Sequence, residues 1–459
     1  MPAAALAQTS SSDSTSRAPI EKGSVLPQVV CAKNPQQSYA LYIPSSYSPT
    51  HSWPVVYFFD PAARGTLPLE RAKEAAERYG FILAASNNSR NGPYKPQLEA
   101  ADAMVVDTQL HLSIDLHRVY FAGFSGGARV TALLALQCKC AAGVLLSGAG
   151  FPIGISPSRE NTFAIFSTVG NADFNYPELI ALQDKLSQAG SPHWLRIFEG
   201  PHEWAPAQVF EEALAWFRLN AMKTNREPRD DALVQTHFLK STAYAESLEK
   251  GGNILAAWRE YSQLVASYDS LADVGTLDTR ADFLGKEKSV HDSLKKERND
   301  FEEQQRQTAN IESALAAERP AGPEAPDPAS DVVEKTRQLR SLAEQEKHAD
   351  RKIVLQRALS GVLVGSMETG FRFLEQKDYA RAVRAFSCAT QADPSSQWAW
   401  SNLAVGQALS GKRKETLNAL RRARDLAKDK SAFTGWLNEE SAFDQYRSSA
   451  EFQAFAKTE

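Results

Sequence analysis

Short apolar runs alternate with longer amphipathic ones from residue 23 to about residue 222. The apolar runs are SVLPQVVCA, SYALYIP, PVVYFFD, FILAAS, RVYFAGF, AGVLLSG, FAIFSTVG and WLRIFEG. From the third onward they are nearly continuous in apolar character, as strands buried on both faces must be. Between most of them lie helical patterns: LPLERAKEAAERYG, QLEAADAMVVDTQLHL, GGARVTALLALQ, YPELIALQDKLSQAG and PAQVFEEALAWFRLNAM. Strands alternating with helices predict βαβ crossovers and an α/β fold with a doubly wound, mostly parallel sheet. The first two runs predict an antiparallel start on one edge.

The alternation stops near 222. KTNREPRDDA, residues 223–232, is a charged linker, and everything beyond it is helical except the Pro-rich break RPAGPEAPDPAS at 319–330. Within 233–318, residues 280–318 are highly charged. A thin stripe of Phe283, Val290, Leu294 and Phe301 predicts a long helix packing one narrow face, or a helical hairpin. A solvated helix explains the same charge. Residues 331–459 carry a repeat. Gly370, Phe373, Ala382, Phe386, Ala389 and Pro394 recur, after a shift of about 34 residues, as Trp400, Leu403, Ala404 and Ala423. Large-then-small positions of this kind let antiparallel helices approach and stack. AYAESLEKGGNILAAWREYSQL (243–264) is a weaker copy, and SAFDQYRSSAEFQAF (441–455) suits the end of such an array.

Composition adds bounds. At 459 residues the chain has room for about two to three domains, and 43% hydrophobic residues suffice for packed cores. A formal net charge of -4 gives no reason to expect nucleic-acid binding. No apolar run approaches the ~18 residues of a membrane span. The four cysteines, Cys31, Cys138, Cys140 and Cys388, form no C-x-x-C and have no His at ligand spacing, so no metal site is expected. At the N-terminus, Ala5-Leu6-Ala7 before Gln8 resembles the end of a secretory signal, which would make the protein periplasmic or extracellular. Residues 1–22 are equally an Ala/Ser-rich tail, which would leave the protein cytoplasmic.

The chemistry gathers in the first domain, where ligands bind beyond the carboxyl ends of the strands. Gly123-Phe124-Ser125-Gly126-Gly127 joins a strand to a helix. A nucleophile elbow needs small neighbours around its strained serine, and Gly123 and Gly127 leave that room. Gly126 opens the helix, so its N–H can face an oxyanion. A plain strand-to-helix turn is the competing reading. Among the histidines downstream of Ser125 in this domain, His193 precedes the last strand and His202 follows it, so position selects His202 as base. Asp173, just beyond the strand 163–169, is the carboxylate best placed to orient it, although a turn or helix-cap aspartate would look the same. The order Ser125, Asp173, His202 is the order of the α/β-hydrolases.

On GFSGGARV, VGNADFNYPE and EGPHEW, residues 23–222 resemble a compact α/β-hydrolase, similar to the dienelactone-hydrolase and feruloyl-esterase-like esterases. Residues 233–459 resemble tetratricopeptide-repeat proteins, more loosely. The resemblance implies an esterase fused to helical repeats. Many such esterases carry His-Gly after the strand that supplies the second oxyanion donor. Here Asp60-Pro61 stands in that place. Proline has no N–H, so Ala62, or next Ala63, is the expected donor. Asp60 then reads as a turn aspartate, and Arg64 as a partner for an acidic substrate group.

The loop SNNSRNGPY (86–94) should line the mouth, with Asn87 and Arg90 as polar contacts, unless it is only solvent-exposed. Phe174, Tyr176 and Trp204 flank the acid and the base, as acyl-pocket walls or as loop packing. The expected activity is serine-dependent hydrolysis of a small-molecule or carbohydrate-linked carboxylic ester, needing no metal or organic cofactor. The competing reading is a hydrolase-like scaffold whose repeats bind a protein partner or a second copy of the chain.

Overall fold

The computed structural model describes residues 21–317 and 331–457. The Ala/Ser-rich tail and the Pro-rich break therefore lie outside the described residues, apart from the last two positions of the tail. The first half is an eight-stranded sheet in the order β1-β2-β4-β3-β5-β6-β7-β8. Its strands are β1 (Val25–Cys31), β2 (Asn34–Tyr42), β3 (Trp53–Phe59), β4 (Ile82–Ser86), β5 (Ile114–Phe124), β6 (Ala141–Ser147), β7 (Ala164–Gly170) and β8 (His193–Phe198). β1 pairs antiparallel with β2, and β2 antiparallel with β4. Every later pairing is parallel. The doubly wound α/β class and its antiparallel edge are thus as the hydropathy pattern predicts.

The crossover helices are α1 (Thr66–Tyr79), α2 (Tyr94–His111), α3 (Gly126–Cys138), α4 (Tyr176–Ala189) and α5 (Ala207–Lys223). Strand side chains alternate between two cores. Val56 and Phe58 of β3 pack with α1 and α5 on one face. Val55, Tyr57 and Phe59 pack with α2, α3 and α4 on the other. Each buried Val, Leu or Phe contributes about 1.5–3 kcal/mol, so this two-sided burial is what holds the strands parallel and central.

The helical half contains α6 (Asp231–Lys250), α7 (Ile254–Tyr268), α8 (Gly275–Gly285), α9 (Lys288–Ala316), α10 (Val332–Gln345), α11 (Ala349–Glu375), α12 (Tyr379–Ala392), α13 (Gln397–Leu409), α14 (Arg413–Leu426), α15 (Lys430–Glu439), a 3-10 turn (Ser441–Tyr446) and α16 (Ala450–Lys457). Consecutive helices from α11 to α14 pack on one another across short connections. Phe373, Ala382, Phe386, Ala389, Leu403, Ala404 and Ala423 are buried in the core they share. The stripe expected along 280–318 is divided. Val290 is buried on α9, but Phe283 belongs to α8 and is 52% exposed, with the Arg280 guanidinium over its ring at 4.8 Å. Among the described residues no helix is long and apolar enough to cross a membrane.

The first helical pair does not stand apart from the sheet. Val234, Ala245, Ala257, Tyr261, Leu264 and Tyr268 continue the core built by α1 and α5. The charged segment 223–232 is pinned as well, since Glu227 meets Arg118 and Arg218. A buried ion pair reinforces this seam. Arg196 of β8 is held by both oxygens of Glu260 on α7, at 3.0 Å each, and by Glu212 of α5 at 2.6 Å. Removing Glu260 strands a buried guanidinium. Glu260→Ala is therefore expected to lower the unfolding free energy of the full chain by about 3–5 kcal/mol, read from denaturant melts. Glu212→Ala, at a more exposed carboxylate, should cost clearly less.

Candidate active site

The elbow at Ser125 is forced by lack of space. β5 ends at Phe124 and α3 begins at Gly126. Ser125 between them has φ 54° and ψ -121°, a strained conformation for a residue with a Cβ. A Cβ on Gly123 would lie 2.1 Å from the Gly127 carbonyl oxygen, and one on Gly127 would lie 2.0 Å from that of Phe59. The Ser125 N–H donates to Ser147 O at the end of β6, at 2.8 Å. The hydroxyl is thereby lifted above the carboxyl edge of the sheet.

Two later loops bring their side chains to it. Asp173 follows β7 and His202 follows β8. His202 Nδ1 lies 2.8 Å from Asp173 Oδ2, and His202 Nε2 lies 2.9 Å from Ser125 Oγ. A carboxylate only accepts, so Nδ1–H donates to Asp173 and the Nε2 lone pair faces the serine hydroxyl. Asp173 is fully buried, and its other oxygen accepts the Asn175 N–H at 2.8 Å. The imidazole is flanked by Phe124 and Phe174, with ring centres at 4.6 and 4.5 Å. His193 sits at the opposite, amino end of β8, bonded to Ser191 O and close to Ser187 Oγ, and burial lowers its pKa.

The structure distributes the remaining expected site residues differently. Asp60 is buried and acts as a hub. Its carboxylate accepts the Ala62 N–H (2.8 Å), two Arg64 guanidinium N–H groups (2.9 Å each) and the Trp204 indole N–H (2.8 Å). The Ala63 N–H donates to Asp60 O at 3.0 Å. So neither backbone donor expected opposite Gly126 points at a reacting atom, because both close the turn around Asp60. Arg64 is paired with the same carboxylate, its side chain half-exposed.

Trp204 is 1% exposed and joins the His202 loop to the β3 loop, so it packs instead of lining a pocket. Asn87 spends its amide on Pro27 O at 3.1 Å, at the sheet edge. Arg90 is exposed, and its backbone bridges to Ala62. Phe174 remains half-exposed beside His202. Cys138 and Cys140 are joined as a disulfide, while Cys31 and Cys388 are buried thiols.

Tyr176 is directed away from the serine, into the helical half. Its hydroxyl donates to Glu297 of α9 at 3.1 Å, and burial pushes its pKa up to about 12. The Arg357 guanidinium of α11 lies 3.7 Å from the centre of its ring and donates to Asn171 O at 2.6 Å. Gln304 of α9 donates to Phe174 O at 2.8 Å. The loop that carries Asp173 is thus gripped by two helices far away in sequence. Further along α11, Glu368 is solvent-accessible yet within electrostatic reach of Arg129 and His202, and desolvation raises its pKa. α11 therefore packs over the loop that carries Asp173. Nothing in the sequence signalled Arg357, Gln304 or Glu368, since a helix face gives no indication of which loop it will cover.

The sheet order, the elbow after β5 and the loops after β7 and β8 make the first half an α/β-hydrolase fold. No family model and no curated protein matches the sequence. Solved structures similar to part of the chain include an S-formylglutathione hydrolase from Staphylococcus aureus, at 13% identity, covering 43% of this chain and 98% of that one with a TM-score of 0.34. A feruloyl esterase module from Clostridium thermocellum complexed with sinapinate is 13% identical, covering 42% and 87% with a TM-score of 0.35. Esterase LipW from Mycobacterium marinum is 20% identical, covering 43% and 82% with a TM-score of 0.35.

Two measurements check this geometry directly. Gly123→Ala places a methyl group into the Gly127 carbonyl and should markedly lower the melting temperature, with loss of the ordered elbow. Arg357→Ala removes the hold on Asn171 O, and hydrogen exchange at residues 171–176 should rise while the sheet strands stay protected.

Proposed function

We propose that this protein is a serine esterase that cleaves carboxylic esters through an acyl-enzyme. The observation that carries the reading is the continuous chain from Ser125 Oγ through His202 to buried Asp173, at the carboxyl edge of the sheet. Ser125 attacks the acyl carbon while His202 Nε2 takes its proton. Asp173 holds the tautomer and stabilises the imidazolium. The Gly126 N–H, first in α3, faces the oxygen that becomes negative, and the helix dipole assists it. His202 then hands its proton to the departing alcohol and next activates water against the acyl-enzyme. Every step uses groups of this chain, with the imidazole moving one proton at a time.

Phe174 is half-exposed beside His202, and Arg90 and Glu368 are exposed. They suit an ester of modest size with polar groups on one side, such as a carbohydrate-linked ester. The helical half braces the loop that carries Asp173, which supports the full chain as the unit to assay.

A fluorophosphonate probe should label the wild-type chain at Ser125, and Ser125→Ala should be neither labelled nor active on p-nitrophenyl acetate. Asp173→Asn should keep the fold and lower kcat by about 10⁴-fold, as loss of the correct tautomer does in serine hydrolases. A folded wild type that the probe does not label rules the reading out.

A further inference from the structure

An oxyanion beside Ser125 needs more than one donor, because a single N–H leaves most of its charge unanswered. Gly126 supplies one. The backbone groups opposite are committed to Asp60: Ala62 N–H to Oδ1 at 2.8 Å and Ala63 N–H to the carbonyl at 3.0 Å. Freeing Ala62 would take one of its donors from a buried carboxylate, which is costly. The second donor must come from another element.

The loop after β4 reaches this point. Arg90 forms a β-bridge with Ala62, and the Asn91 N–H donates to Pro61 O at 2.8 Å. These contacts lay Asn91 across the β3 turn and against the elbow. Its side chain occupies the volume that Gly126 leaves empty. A Cβ on Gly126 would stand 1.9 Å from Asn91 Oδ1, 2.9 Å from Cγ and 3.4 Å from Nδ2. The carboxamide therefore lies on the first residue of α3, next to the N–H already assigned to the oxyanion. Asn91 is exposed, so its amide is open to solvent and to a ligand. Turning the amide over exchanges its oxygen and nitrogen without moving the loop.

We propose that the Asn91 side-chain amide is the second oxyanion donor, so that the hole combines one backbone N–H with one carboxamide. The proposal rests on the serine-esterase reading above. As Ser125 Oγ bonds to the acyl carbon, its proton passes to His202 Nε2 and the carbonyl π pair moves onto oxygen. The Gly126 N–H and Asn91 Nδ2–H then both donate to that oxygen. The same geometry gives Gly126 a second constraint, because any side chain there would displace the amide. Asn91 thus stands in for the backbone donor that Asp60-Pro61 removes.

The test uses the full chain, p-nitrophenyl acetate as substrate and an aryl trifluoromethyl ketone, which adds Ser125 to form a tetrahedral oxyanion. Asn91→Ala should lower kcat by about 10²–10³-fold with KM little changed, and weaken the ketone by a similar factor. Asn91→Asp, nearly isosteric but lacking the donor and adding negative charge, should lower kcat at least as far. Gly126→Ala should reproduce the Asn91→Ala pattern by pushing the amide away. Thermal melts confirm folding, and where Asn91→Ala does not fold, Asn91→Asp decides by the same two readouts. If wild type turns over and is labelled at Ser125, while a folded Asn91 variant keeps its kcat and ketone affinity within a few-fold, the assignment of Asn91 alone is overturned. If folded wild type neither turns over nor labels, the esterase reading and this one fall together.

Discussion

The close approach of three backbone segments at the elbow is the constraint on which the site depends. β3 and β5 are neighbours in the sheet, and the first turn of α3 must pass over the end of β3. Gly127 can do so only without a side chain, because the Phe59 carbonyl occupies the place of its Cβ. Gly123 faces the same exclusion from Gly127 itself. Between two such contacts Ser125 has no choice of backbone conformation, and its strain is borne by the sheet core on both sides.

Asp60 shows how one departure from a familiar pattern reorganises its surroundings. A buried carboxylate demands donors, and here it draws them from its own turn, from Arg64 and from Trp204. That ties the β3 loop to the base loop through a fully buried indole. The gain is rigidity beneath His202. The Ala62 N–H is spent on Asp60, and the neighbouring loop lays Asn91 against Gly126.

The two halves of the chain share their packing. Core side chains run without interruption from the sheet through α5 into α6 and α7, and the Arg196–Glu260 pair crosses the same seam. On the other side α9 and α11 hold the acid loop through Gln304, Glu297 and Arg357. The catalytic carboxylate candidate is thus positioned partly by residues more than a hundred positions away. Any motion of α11 would be felt in the loop that carries Asp173.

Local pattern was enough for the strands, their crossover helices and the antiparallel edge, because buried parallel strands and amphipathic helices write their periods directly into the chain. It was also enough to single out Ser125, Asp173 and His202 as neighbours, since each follows a strand whose carboxyl end faces the same edge. It did not separate Trp204 from the pocket, place Phe283 on its own helix, or reveal that the Ala62 N–H was taken. Those outcomes depend on which groups meet across long sequence separations. Sequence by itself determined the α/β-hydrolase scaffold and the order of its candidate site residues, because strand period and turn chemistry are local. Tertiary structure alone decided how Asp60 spends its donors, which helices grip the acid loop and where Asn91 lies, because unpaired buried charge and steric exclusion are settled only once distant segments touch.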